Sequence, residues 1–287
     1  MFLGLFYFFA YLLCFHGIAL FSIYLVYERL ALMITYYLEV LILSFVQGFF
    51  EFIPVSSSAH LIVISKITEF DFRSIEIDIS LHLGSLIAII FYFRKDFVNI
   101  FQNKNLLNLI FFGSIPLIIF GYFFYTTGLI EYLREIKIIA WSTLLFGILL
   151  YFADRFKIQR YIDKDLTLKN IFLIGLLQVL ALMPGVSRSG IVITAGRFLN
   201  FSRVDASKIS FYLSVPALIG ASVLGLNDIF EKGFKFTYLI FLSTFFSFIF
   251  SYLTIKYFLI YVRNFSLNVF VYYRIFLALV LLTIIYN

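Results

Sequence analysis

Two short stretches of this sequence carry side chains able to move protons and hold phosphate. Glu51 to His60 reads EFIPVSSSAH and follows Gln47; Gln178 to Ser189 reads QVLALMPGVSRS. The first supplies Gln47, Glu51, Ser56, Ser57, Ser58 and His60, and the second supplies Gln178, Ser187, Arg188 and Ser189. A carboxylate and an imidazole beside hydroxyls are the materials of acid/base and nucleophilic catalysis. A guanidinium forks onto phosphate through two hydrogen bonds. His60 stands three residues after Ser57, on the same helix face if a helix starts there.

These residues sit in sequence that otherwise reads as hydrocarbon. With 63% hydrophobic and 13% charged residues, and a mean hydropathy of +1.02, the chain is no ordinary soluble protein but a polytopic membrane protein. The net charge of +6 is spread over short loops, with no stripe to track a phosphate backbone, which excludes a nucleic-acid partner. A positive-inside bias explains it. Cys14 is the only cysteine, which excludes an intrachain disulfide, thiol chemistry and a zinc-ligand spacing. An ionisable side chain at the membrane centre costs about 2.5–3.5 kcal/mol on insertion scales, so Glu51 and Arg188 call for a function. A structural ion pair is the competing reading, and serines in membrane helices also bond back to their own helix. Glu39 and His82 read as packing or supporting groups.

The elements that must position the site follow from hydropathy. Apolar runs long enough to cross a bilayer lie at 2–26, 79–93, 106–126, 138–153, 209–227, 236–255 and 267–286. The first 26 residues lack a basic leader and a small-residue cleavage signal, which predicts an anchor rather than a removed signal peptide. Residues 1–32 are read as an extension, an extra span or a segment before a true start at Met33. Residues 33–287 form one domain. The stretches 38–65 and 170–196 are apolar but interrupted, by Pro54 and by Pro184-Gly185, each followed by serines. Backbone broken at membrane depth must be buried in protein or line a wet cavity.

The two broken stretches echo each other at a shift of about 130 residues, which carries Ser57 onto Ser187 and SLHL at 80–83 onto SFYL at 210–213. The loop 154–169, with Arg155, Lys157, Arg160, Lys164 and Lys169, and the loop 94–105, with Arg94, Lys95 and Lys104, both belong inside. The segment with Glu69, Asp71, Glu76 and Asp78, against Lys66 and Arg73, then lies outside. A full crossing by 170–196 would export Arg197, Arg203 and Lys208; a re-entrant hairpin keeps them inside. The expectation is an all-α polytopic membrane protein with inverted-topology repeats, about 38–153 and 170–287. Its two re-entrant helical hairpins enter from opposite faces and meet near the midplane. Each proline ends one half-helix and a serine caps the next, so two helix N-termini converge on one phosphate-sized point.

QGFFEFIPVSSSAH together with PGVSRSG resembles the signature pair of the undecaprenyl-diphosphate phosphatase family of the bacitracin-resistance type, and the likeness runs from about Met33 to the C-terminus. The resemblance implies hydrolysis of undecaprenyl diphosphate to the monophosphate, recycling the lipid carrier of cell-wall synthesis and giving bacitracin resistance. It implies a multi-pass protein of the bacterial inner membrane whose site faces the periplasm. The family's paired acidic motif falls on Gln47 and Glu51, its serine pair on Ser56 and Ser57, its histidine on His60, and its second motif on Pro184 to Ser189. A divalent cation, Mg2+ or Ca2+, falls to Glu51 and Gln47. Substrate binding falls to Gln47, Ser56, Ser58, Gln178, Ser187 and Ser189, and catalysis to Glu51, Ser57, His60 and Arg188. Val192 stands where the family usually has threonine, with Thr194 close by.

The implied partners are the lipid substrate, the bilayer and bacitracin competing for that substrate, with no nucleic acid and a homodimer left open. Ser57 is the expected nucleophile with His60 as its activator; attack by His60 or by activated water stays open. A polyprenyl-phosphate flippase or small-anion transporter is the alternative, because inverted hairpins are also transporter architecture.

Overall fold

The computed structural model describes the backbone of residues 2–68, 74–102, 104–232 and 238–286, with side chains for 24–64, 74–98, 105–226 and 238–286. In chain order the helices are α1 (Phe2–Phe50), α2 (Ser57–Thr68), α3 (Ile75–Tyr92), α4 (Arg94–Gln102), α5 (Lys104–Thr126), α6 (Leu129–Tyr132) and α7 (Ile136–Ala153). They continue with α8 (Ile162–Asp165), α9 (Leu168–Gln178), α10 (Arg188–Phe198), α11 (Arg203–Lys232), α12 (Tyr238–Asn264) and α13 (Asn268–Tyr286). A 3-10 turn, Val179–Leu182, follows α9.

Among the described residues seven helices are long and apolar enough to cross a membrane: Tyr24–Phe50 of α1, then α3, α5, α7, the first part of α11, α12 and α13. The protein is an all-helical, multi-pass membrane protein. One boundary differs from the sequence reading, because α1 runs unbroken from Phe2 to Phe50. The expected first span at 2–26 is therefore continuous with the arm that begins at 38: Glu28 and Arg29 end the apolar run, but no proline or glycine between 26 and 38 breaks the helix. Lys66, Glu69, Asp71 and Arg73 lie outside the residues whose side chains are described. Glu76 and Asp78 fall in the first turn of α3, where the positive end of the helix dipole favours them.

The packing pairs are arranged as a two-fold repeat would arrange them. α3 packs on α11, and α7 on α13; α1 lies against α12 and α5 against α9. Small residues let these helices approach closely, as packing between helices in lipid requires. On α3 a Cβ at Gly84 would stand 2.4 Å from the Thr244 carbonyl oxygen, and Ser247 donates to the Leu81 carbonyl at 2.7 Å. Between α9 and α5, a Cβ at Gly175 would fall 2.0 Å from the Gly113 carbonyl oxygen. The buried face of α9 is Ile171, Ile174, Gly175 and Gln178, the i, i+3, i+4, i+7 stripe of a one-sided helix.

Two breaks interrupt this frame where the prolines stand. The chain turns through Glu51–Val55 before α2, and bends through Met183–Val186 before α10. Ser56 and Ser187, at φ 97° and 69°, hold left-handed backbone that a non-glycine residue adopts only when its surroundings impose it. Both hydroxyls cap the helix that follows: Ser56 Oγ accepts from Ala59 N at 3.4 Å and Ser187 Oγ from Gly190 N at 3.1 Å. Each also pairs with the hydroxyl two residues on, Ser58 and Ser189, at 3.2 Å in both cases. The equivalence of the breaks is thus Ser56 with Ser187, a shift of 131, which corrects the pairing of Ser57 with Ser187. Ser57 corresponds to Arg188.

The register moves by one because PGVS has a glycine that PVS lacks. Gly185 sits at φ +95°, and a Cβ there would lie 2.2 Å from Ser142 Oγ and 2.6 Å from the Ile139 carbonyl oxygen of α7. Gly185→Ala is expected to lower the melting temperature in detergent by several degrees, from strain of about 1–3 kcal/mol plus that clash. An unchanged melting temperature would mean the break does not seat on α7.

Candidate active site

Glu51 ends the first arm as the chain leaves α1, and its buried carboxylate collects three partners. Ser57, in the first turn of α2, donates its hydroxyl hydrogen to Glu51 Oε2 at 2.7 Å. Gln47, one helical turn before Glu51, donates from Nε2 to the same oxygen at 2.9 Å. Arg188, first residue of α10, places Nη2 3.0 Å from Glu51 Oε1 and Nη1 3.1 Å from the Ser210 carbonyl of α11. A carboxylate, a hydroxyl and a guanidinium from opposite halves of the chain therefore meet at one point. The site is charge-paired at rest, as buried ions must be.

His60 lies apart from this pairing. Its Nδ1 is 2.7 Å from the Ser56 carbonyl oxygen, so Nδ1 carries the proton and donates. In the neutral ring Nε2 then accepts from the Tyr273 hydroxyl of α13, at 2.7 Å. The ring stacks on Phe50, with centroids 4.0 Å apart. The expected hydrogen bond from Ser57 to His60 is replaced by one to Glu51, which holds the only hydroxyl hydrogen of Ser57. Helical spacing put the two residues on one face, but stacking on Phe50 turns the imidazole to α13.

The remaining candidates divide by what their polar atoms already do. Ser56, Ser187 and Ser189 are buried and hold the breaks together. Ser56 Oγ accepts from Gly185 N at 3.3 Å, and Ser189 donates to the Ile53 carbonyl at 2.6 Å. Ser58 is the exposed serine of the three in the first break. Gln178 is fully buried, and neither atom of its amide has a hydrogen-bond partner among the described residues. Val192, in the threonine position of the motif, is fully buried, while Thr194 donates to the Gly190 carbonyl within α10 at 2.7 Å.

His82 of α3 places Nδ1 2.8 Å from Gln47 Nε2, the supporting role of the two that its sequence context left open. Two further participants were not singled out by the sequence. Tyr273 holds His60. Arg274, fully buried, donates to the carbonyls of Pro54, Gly185, Val186 and Thr143, and so stitches both breaks to α7. Its signal was available: a single charge in the apolar run 267–286 is expensive unless it is used. Removing it leaves buried carbonyls unpaired at about 1–3 kcal/mol each. Arg274→Ala is therefore expected to lose most folded protein on heating in detergent, read as a melting temperature far below that of the unsubstituted chain.

A hard cation needs oxygen donors, and the cluster offers few. Among the described residues no three His, Cys, Asp or Glu side chains cluster as metal ligands. Gln47 Oε1 is buried without a hydrogen-bond partner among the described residues, on the amide whose Nε2 faces the Glu51 carboxylate. One carboxylate and one amide oxygen fit a cation that takes the rest of its shell from substrate phosphates.

Comparison with known proteins agrees with this architecture. Residues 40–280 match the family described as bacitracin resistance protein BacA. An undecaprenyl-diphosphatase of Pelagibacter ubique is 53% identical over 251 residues, covering 87% of this chain and 98% of the relative. Undecaprenyl-diphosphatases of Thermodesulfovibrio yellowstonii and Elusimicrobium minutum are 39% and 38% identical, covering 85% and 84% of this chain and 95% of each relative. With a match over this span, which contains both breaks, the chain belongs to the bacitracin resistance protein BacA family.

Proposed function

We propose that the protein hydrolyses undecaprenyl diphosphate to undecaprenyl phosphate and inorganic phosphate, with Ser57 as nucleophile and Glu51 as its base. The observation that carries this reading is the hydrogen bond from Ser57 Oγ to Glu51 Oε2, with Arg188 on the other carboxylate oxygen. A base within about 2.6–3.2 Å of the proton it takes meets the geometric requirement. The name shared by the relatives favours hydrolysis over the flippase or transporter reading.

The reaction runs in two displacements. Ser57 Oγ attacks the terminal phosphorus as its proton passes to Glu51; the bond to the bridging oxygen breaks, and Glu51 hands that proton to the departing undecaprenyl phosphate, which leaves the carboxylate ionised again. Water then attacks the phosphoserine and gives a proton to Glu51, which passes it to Ser57 Oγ as the bond from phosphorus to the serine oxygen breaks and phosphate leaves. Arg188 meets the charge on the equatorial oxygens, and the amides at the start of α2 and α10 add to that field. His60 and Tyr273 hold the Ser56 turn, which aims Ser57. Gln47 and Glu51 would hold a divalent cation, Mg2+ or Ca2+, which supplies neutralising charge to the diphosphate.

The half-helices explain how such a site sits in a membrane. α9 and α10 have 11 residues each, about 16 Å of helix against a hydrocarbon core of about 30 Å. This supports a re-entrant reading, with the site open to the periplasmic face of the inner membrane, where bacitracin would compete for the same lipid. The role follows as recycling of the cell-wall carrier lipid and resistance to bacitracin.

Purified protein in detergent is expected to release inorganic phosphate from a polyprenyl diphosphate; a transporter would release none without a membrane. Chelation with EDTA is expected to reduce that rate by at least tenfold, restored by Mg2+ or Ca2+. A rate indifferent to EDTA would remove the cation from the scheme.

A further inference from the structure

The diphosphate site leaves a second group of cations unused. Where α3 ends and α4 begins, a cavity of about 390 Å3 is lined by Arg94, Lys95, Lys208 and Arg263, with Tyr92 and Ile260 among its apolar walls. The four cations come from three parts of the chain: the start of α4, the first third of α11 and the last turn of α12. The one carboxylate in the lining is Asp96, and its Oδ2 accepts from the Tyr212 hydroxyl at 2.9 Å. The lining therefore carries four positive charges against one negative, and that one is partly satisfied.

Like charges gathered at one place repel, and here they also oppose the backbone. Arg94 and Lys95 occupy the first turn of α4, where the helix dipole is positive and disfavours cations. An anion in the cavity would relieve both costs. The cavity is separate from the catalytic cluster, since Tyr92 lies ten residues beyond His82 on α3, or about 15 Å along its axis.

The surroundings identify the anion. Below the cavity, toward the middle of the spans, α3 exposes Ile87, Ile90 and Phe91, and α12 exposes Tyr257 and Ile260. Exposed apolar side chains on these two spans thus lead to a basic cavity at the span ends that the charge rule places inside, with Ile260 belonging to both the cavity lining and the exposed face of α12. Basic pockets between spans on that face hold anionic headgroups.

We propose that this cavity binds the phosphodiester headgroup of an anionic membrane phospholipid, with an acyl chain running from the cavity past Ile260. Native mass spectrometry of the full chain titrated with phosphatidylglycerol or phosphatidylcholine tests it. One phosphatidylglycerol is expected to be retained at least tenfold more tightly than phosphatidylcholine. That preference is expected to vanish in a Lys208→Gln/Arg263→Gln variant and to persist in Lys157→Gln/Lys164→Gln, which changes exposed cations elsewhere on the loops. Millimolar inorganic phosphate is expected not to displace the lipid. Displacement by phosphate would reveal a free-phosphate site and overturn the lipid assignment. No preference for phosphatidylglycerol in the unsubstituted chain would overturn the proposal without any variant, and release of phosphate from a polyprenyl diphosphate would be unaffected by either outcome.

Discussion

Glu51→Gln is expected to reduce phosphate release from undecaprenyl diphosphate by about 10^3-fold, within the 10^2- to 10^4-fold range that a positioned general base contributes. The amide is nearly the same size, so the turn at 51–55 keeps its shape, but it cannot take the Ser57 proton that now lies 2.7 Å from Oε2. It also removes the charge that faces Arg188 at 3.0 Å. The loss should fall on kcat rather than on the amount of folded protein, measured as phosphate released per detergent-purified molecule. A rate within tenfold of the unsubstituted enzyme would show that another group takes that proton.

Arg188→Ala is expected to cost about 10^2- to 10^3-fold, the range for removing one preorganised donor to transition-state charge. Arg188→Lys should recover little of it. The guanidinium reaches two places at once, Glu51 Oε1 and the Ser210 carbonyl, and an ammonium on a single stem cannot reproduce that fork. Arg188 also links the two halves of the chain, so its loss should raise KM as well as lower kcat. Recovery of full activity by lysine would reduce Arg188 to a point charge.

Much of the frame was legible because lipid leaves few choices. Uninterrupted apolar runs must be helices, and the proline-serine punctuation at Pro54 and Pro184 marked the two breaks that the structure brings together. The continuity of α1 was not legible, since Glu28 and Arg29 end the first apolar run although neither breaks a helix. The register of the repeat was misread by one residue through alignment on the prolines. Aligning Gln47 with Gln178, or the Val-Ser pairs, gives the shift of 131 that the caps at Ser56 and Ser187 follow.

The cluster itself was legible as a set of residues but not as a set of bonds. Spacing placed Ser57 and His60 on one helix face, yet no sequence pattern states that the ring stacks on Phe50 and reaches Tyr273, which is 213 residues away. His82 could be read as either packing or a supporting group, because its partner Gln47 lies 35 residues earlier in sequence. Arg274 was overlooked although a lone charge in an apolar span is itself a signal.

The proposed chemistry rests on Ser57 carrying the phosphoryl group while Glu51 carries its proton. Quenching the enzyme in acid and in base during turnover of a terminally labelled polyprenyl diphosphate, then mapping the labelled peptide, measures this directly. Acid-stable label is expected on Ser57 and is expected to be absent in Ser57→Ala. Base-stable, acid-labile label on His60, with Ser57→Ala still turning over, would contradict it.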